Sequence, residues 1–108
     1  MKLLWTEQAL SSLKAIKFYI EDKSSEPVAR NFINKLIEKG EVLTKFPEMG
    51  RVVPEINSQN IRELIEGNYR IVYRIHKERI EILTVFEGHK LLEKKEILTF
   101  HEPISVIS

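Results

Sequence analysis

Cysteine is absent from the sequence, which excludes disulfides, thiolate zinc sites and thiol catalysis. Long apolar runs are absent as well. No stretch approaches the roughly 18 residues of a membrane span, and the opening MKLLWTEQALSS meets Glu7 too early for a signal-peptide core. Glycine is scarce, with 4 residues, and none of them builds a phosphate-cradling loop. Neither GxSxG nor HExxH occurs, so an ordinary hydrolase or cofactor enzyme is disfavoured and no cofactor is expected. His76 is placed in a turn and His101 in the tail, so with His89 they do not form a metal cluster. Charge of one sign is lacking too. The formal net charge is +1, far short of what drives bulk nucleic-acid binding, so any anion recognition must be local. The expectation is a soluble, cytoplasmic protein.

What is present is an ordinary globular balance: 43% hydrophobic and 31% charged residues over 108 positions, enough for one domain. Residues 2–5 read as a short strand. Thr6 then caps a helix in which Ala9, Leu13, Ile16 and Ile20 follow helical spacing, with Leu10 and Phe18 widening the stripe. EDKSSEP ends it, and Ser25 caps a second helix with Pro27 in its first turn. That helix carries Ala29, Phe32, Ile33, Leu36, Ile37, Leu43 and Phe46 on its core stripe, with Gly40 marking a close helix approach, and FPEMG stops it.

After Gly50 the period changes to alternation, and three strands are predicted near 60–66, 68–76 and 79–87, with turns at Gly67-Asn68 and Lys77-Glu78. In the last hairpin, pairing Ile75 with Ile80 sets Tyr73 beside Ile82 and Tyr69 beside Phe86 on the core face. It also sets Arg74 opposite Glu81 on the outer face. For the first hairpin, a three-residue loop starting at Gly67 lets Ile61 and Ile65 join the core. It gathers Arg62, Arg70 and Arg74 on one outward face, with Glu66 opposite Arg70; a two-residue loop would turn Arg62 toward the helices instead. The fold class is therefore α+β, a two-helix N-terminal hairpin packed on a small, mostly antiparallel twisted sheet. Its core centres on Trp5, Leu13, Ile16, Phe32, Leu36, Ile71, Tyr73 and Ile82.

The planar fork of arginine suits carboxylate or phosphate, so an outward trio at 62, 70 and 74 would hold a nucleic-acid backbone or an acidic partner segment. Ordinary cross-strand pairing with Glu63, Glu66 and Glu81 is the competing reading of the same residues. Glu87, His89 and Lys90 follow the last strand beside that face. They supply a carboxylate, an imidazole and an amine that could act as acid and base on RNA, or form a charged turn.

Three runs, FPEMGRVVPEI, NIRELIEGNYRIVYRI and IEILTVFEGHKLL, together resemble the RelE/ParE toxin superfamily of bacterial type II toxin–antitoxin modules over residues 3–95. The resemblance implies the same α+β fold and one of two activities. RelE-like members cut mRNA on the ribosome, whereas ParE-like members poison DNA gyrase. Arg70 matches the arginine of the family's Tyr-Arg strand motif, and Lys90 lies about where RelE-like members place a catalytic arginine. Here Glu63 and Leu64 stand where the nuclease branch tends to supply lysines, Glu87 stands where many relatives carry histidine, and no tyrosine follows Tyr73.

The resemblance is therefore closer to the ParE-like branch. It implies a toxin that inhibits gyrase and is neutralised by a cognate antitoxin, with Arg62, Arg70, Arg74 and Lys90 as partner-binding residues and the toxin–antitoxin pair as a hetero-oligomer. The RelE-like alternative is a ribosome-dependent mRNA endonuclease using Arg70, Glu87, His89 and Lys90, and a third is an inactive toxin-like binding module. Residues 96–108, EILTFHEPISVIS, extend past the resemblance as an added strand or interface segment.

Overall fold

Local chemistry starts each helix. In the computed structural model, which describes residues 1–88, Thr6 has extended backbone and its Oγ1 accepts from Ala9 N at 3.0 Å, opening α1 (Glu7–Lys23). The same hydroxyl donates to Leu83 O at 2.9 Å, which ties the helix start to the sheet. Ser25 caps α2 (Glu26–Val42) by accepting from Val28 N, and Pro27 sits in the first turn, where its missing N–H leaves no bond unmade. Only Ser24 and Ser25 separate the helices, so they form a hairpin.

The sheet has five strands: β1 (Lys2–Trp5), β2 (Arg51–Val52), β3 (Ile61–Glu66), β4 (Tyr69–Ile75) and β5 (Arg79–Glu87). Their order is β1-β5-β4-β3-β2, with β1 parallel to β5 and every other pairing antiparallel. The helices cover one face. Between them and the sheet lies the main core of Trp5, Leu13, Ile16, Leu36, Ile71, Tyr73 and Ile82, with Phe32 partly buried at its margin, 5.5 Å from the Tyr69 ring. A Cβ at Gly40 would lie 2.9 Å from Trp5 Cζ2, so that glycine admits the indole of β1 rather than a neighbouring helix. Two aromatic residues expected on the helical stripes face solvent instead: Phe18 is 71% exposed and Phe46, beyond the end of α2, is 60% exposed.

The last hairpin pairs Ile75 with Ile80, Tyr73 with Ile82 and Arg74 with Glu81, as the alternation predicts. Beyond Tyr73 the register shifts: Val72 faces Thr84, and Leu83 is the extra residue of a β-bulge. Tyr69 consequently lies opposite Glu87, and Phe86 lies opposite Arg70 rather than beside Tyr69 in the main core. The first hairpin differs from the three-residue loop. Glu66 pairs with Tyr69 across the two-residue turn Gly67-Asn68, with Gly67 at φ 59°. A positive φ at the first central residue is the type II′ arrangement that glycine favours. With that turn, Ile61, Glu63 and Ile65 stand opposite Arg74, Val72 and Arg70 on the outer face. Ile65 is 49% exposed there and does not join the main core.

The outer face is itself covered. The segment 53–60 crosses it, and Val53, Ile56, Ile61, Val72 and Leu83 form a second buried cluster with Phe86 packed against it. Tyr73, fully buried, braces the turn that leads into this segment. Its hydroxyl donates to Pro47 O at 2.6 Å and accepts from Gly50 N at 3.0 Å.

Burial raises the pKa of the Tyr73 phenol above its ordinary value, outweighing the opposing influence of the Gly50 N–H, and burial likewise raises that of Tyr69. A raised phenol pKa stabilises the fold fully below the unfolded value of about 10 and loses that stability as pH rises through the folded value. Thermal unfolding followed from about pH 8 to 12 is therefore expected to show a falling Tm above about pH 10. In Tyr73→Phe the fall should be shallower. The variant should also lose about 1–3 kcal/mol at neutral pH through the unpaired Pro47 carbonyl and Gly50 N–H. An identical alkaline fall in both proteins would remove Tyr73 as its source.

Candidate functional site

The three arginines expected on one outward face occupy three different environments. Arg70, on β4, is buried. Its Nε donates to Glu63 Oε1 at 2.6 Å and Nη2 also pairs with that carboxylate. Nη1 and Nη2 hold Glu55 as a fork, at 2.9 and 3.0 Å. The guanidinium lies over the Phe86 ring, 5.1 Å from its centroid, an attraction of cation and ring face that exists because the bulge brings Phe86 opposite Arg70. Burial disfavours the charged form, but the hydrogen bonds that Arg70 donates to Glu55 and Glu63, with the attraction of the two carboxylates, outweigh it and the Arg70 pKa is raised. Glu63 is fully buried, and its second oxygen accepts from Arg51 Nε at 2.6 Å. Arg70 is thus a clasp between the sheet, through Glu63, and the covering segment, through Glu55.

Arg62 does not share that face. The two-residue turn sends it to the side of Tyr73 and Val52, where among the described residues it bonds only neutral acceptors. Nε donates to Gln59 O at 2.9 Å, Nη1 to Gly50 O at 3.0 Å and Glu48 O at 3.4 Å, and Nη2 to Gln59 Oε1 at 3.2 Å. Arg74 remains on the outer face, half-buried, with Nη1 3.8 Å from Glu81 Oε1. That carboxylate is fully buried and takes its close partner from His76, whose Nε2 lies 2.8 Å away. His76 is therefore committed to a hydrogen bond with Glu81 at the end of β4. Among the described residues no three of histidine, aspartate and glutamate are grouped so as to hold a metal ion.

At the opposite end of the hairpin Glu87 is exposed beside Tyr69, whose phenol pKa it helps burial to raise. Gly88 N bonds Asn68 O at 2.6 Å and closes the strand end. The proposed acid–base companions His89 and Lys90 and the segment 96–108 lie outside the described residues. The structure thus brings Arg70 together with Glu55 and Glu63, and Arg74 with Glu81 and His76, but leaves Arg62 apart from both groups. Two participants, Arg51 and Glu55, were not anticipated. The visible signal for Arg51 was its position directly after the glycine of FPEMGR; for Glu55 the chain offers only a charge in a loop.

A family model described as "ParE toxin of type II toxin-antitoxin system, parDE" matches residues 3–92, most of the chain. The chain belongs to the ParE toxin family. As a ParE-like toxin it has the fold expected from its sequence, two helices on a mostly antiparallel five-stranded sheet. A solved structure titled "Chromosomal ParDE TA system from P. aeruginosa" is similar to it with a TM-score of 0.69 and 22% sequence identity, over 81% of this chain and 95% of that one. No curated protein sequence matches. Within this ParE-like toxin, no helix among the described residues is long and apolar enough to cross a membrane.

Proposed function

We propose that this ParE-like toxin acts by binding rather than by bond cleavage, that its target is DNA gyrase, and that a cognate antitoxin neutralises it in a hetero-oligomeric complex. The family match over residues 3–92 carries the reading. The enclosure of Arg70 supports it. A guanidinium forked onto Glu55 and Glu63 and covered by Phe86 would have to shed two carboxylates before it could stabilise a scissile phosphate. In the same reading Arg62, Arg74 and Lys90 are contact residues. Arg70 contributes by holding the outer face in shape.

The deciding experiment runs purified protein side by side in gyrase supercoiling and ribosome-programmed mRNA cleavage assays. Inhibited supercoiling with intact mRNA is the expected result. Glu87→Ala and His89→Ala should each keep their growth arrest on induction, because removing a true catalytic acid or base typically costs about 10²- to 10⁴-fold in rate. Loss of arrest in either soluble, folded variant, together with loss of ribosome-dependent cleavage, would make the protein a nuclease. Activity in neither assay would leave the inactive binding module.

A further inference from the structure

A cleft at one end of the molecule is walled by apolar side chains that no described residue covers. Phe46 and Pro47 in the connection that leaves α2, Met49 beyond them, Met1 beside β1 and Ile75 at the end of β4 enclose about 740 Å³. Phe46 is 60% exposed there, Met1 50% and Met49 47%. Clefts elsewhere differ in chemistry. The one beside Gly88 has Glu87, Asn68 and Tyr69 in its wall, and the one on α1 sets Lys14 and Lys17 around Phe18. A contiguous apolar surface left open on a small domain marks a site that something occupies.

The chain itself carries matching apolar surface. Residues 97–107 bring Ile97, Leu98, Phe100, Ile104, Val106 and Ile107, and they lie past residue 92, where the family match stops. The connection to them has the right length. Gly88 N bonds Asn68 O just before β4 begins, whereas Ile75 ends β4. From 68 to 75 is seven residue steps of strand, about 23 Å. Residues 89–96 reach at most about 26–29 Å when extended, so the apolar run begins where that reach is spent. A link this short sets an effective concentration on the order of millimolar, which favours the chain's own segment over any partner that binds the cleft weakly. We propose that residues 97–107 of this chain fold back onto the Met1–Phe46–Met49 cleft and cover it. Lys45, in the lining, forms no ion pair with any described residue. It stands available to Glu96 and Glu102, the carboxylates that bracket the first part of the run.

Both methionines of the sequence line this cleft, so isotopic labelling of the methionine methyls in the full chain reports on it alone. Nuclear Overhauser contacts between those methyls and the Phe100 ring are the expected result, unchanged on dilution. Phe100→Ser should abolish them and shift both methyl resonances, while the amide spectrum of residues 61–87 stays in place. Chymotrypsin supplies an independent readout. Cleavage after Phe100 tracks the population of the undocked form and should be about tenfold faster in Met49→Glu. Phe18→Glu, on α1, should leave it unchanged. Both replaced side chains are exposed, so each variant should stay folded, and an unchanged Tm checks this. Methyl contacts that weaken on dilution would give the cleft to a second copy of the chain. Absent contacts, or cleavage accelerated by Phe18→Glu and not by Met49→Glu, would place the segment elsewhere. Any of these results overturns the proposal.

Discussion

Replacing Arg70 with methionine is expected to destabilise the protein by about 3–5 kcal/mol, because it leaves a buried carboxylate without its principal partner. Glu63 is fully buried, and the one other described group that bonds its carboxylate, Arg51, is 67% exposed and touches a single oxygen. Glu55 would lose both prongs of its fork, releasing the covering segment 53–60 from the sheet. Urea unfolding monitored by Trp5 fluorescence reads the loss. A second variant separates a clasp from mere bulk. Arg70→Met combined with Glu63→Leu removes the stranded charge, and apolar replacement of both partners of a buried pair is often neutral, so it should recover a large part of the stability. A loss below about 1 kcal/mol in the single variant would show that water or neighbouring groups satisfy Glu63 and that Arg70 is no clasp. The result also governs how toxicity data are read. An Arg70 variant that fails to arrest growth has first to be shown folded, since the substitution removes the bonds that hold the outer face in shape.

Ile71→Ala should cost about 2–5 kcal/mol, the range for deleting a buried branched side chain and leaving a cavity. Ile71 is completely buried among the residues of the main core, opposite Leu64 on one side and Val85 on the other. Ile65→Ala provides the contrast. That residue lies on the outer face, 49% exposed, and its replacement should stay within about 0.5 kcal/mol. Denaturant midpoints for the two variants measure the difference directly. Equal losses would mean that the first hairpin is paired in the other register, with Ile65 turned inward.

That contrast marks where sequence pattern sufficed and where it did not. The helix starts were legible because Thr6 and Ser25 each offer a short side-chain oxygen immediately before an apolar period. The pairing of Arg74 with Glu81 was legible because a slip by one residue would have faced charge against isoleucine. The first hairpin was misread because its outer face was taken to be solvated. On that assumption Ile61 had to point toward the helices, whereas it is buried on the opposite side under Val53 and Ile56. Two residues argued against the assumption. Glu63 fitted the main core poorly, and Val72 stood between two arginines on a face supposed to be polar.

Glycine at the first central position of a two-residue turn pointed the same way. The bulge was signalled by Leu83 directly following Ile82, where strict alternation breaks, yet the position of an extra residue depends on which neighbours lie across the strand. The clasp itself was beyond local reading, because Glu55 reaches Arg70 only through the path of an irregular segment.

The parallel pairing of β1 with β5 governs when the chain can complete its fold during synthesis. Thr6 donates to Leu83 O across 77 residues of sequence, and Trp5 lies alongside Ile82. A nascent chain translated at about 5–20 residues per second therefore carries an unburied Trp5 for about 4 to 15 seconds before its partner strand exists. The two helices are adjacent in sequence, but the strand that β1 pairs with must wait for nearly the whole described domain. Non-local pairing of this kind slows folding and prolongs the exposure of apolar surface. A chain truncated before residue 79 lacks the strand that β1 requires, and it would present Leu3 and Trp5 to the chaperones and proteases of the cell instead of to its own sheet.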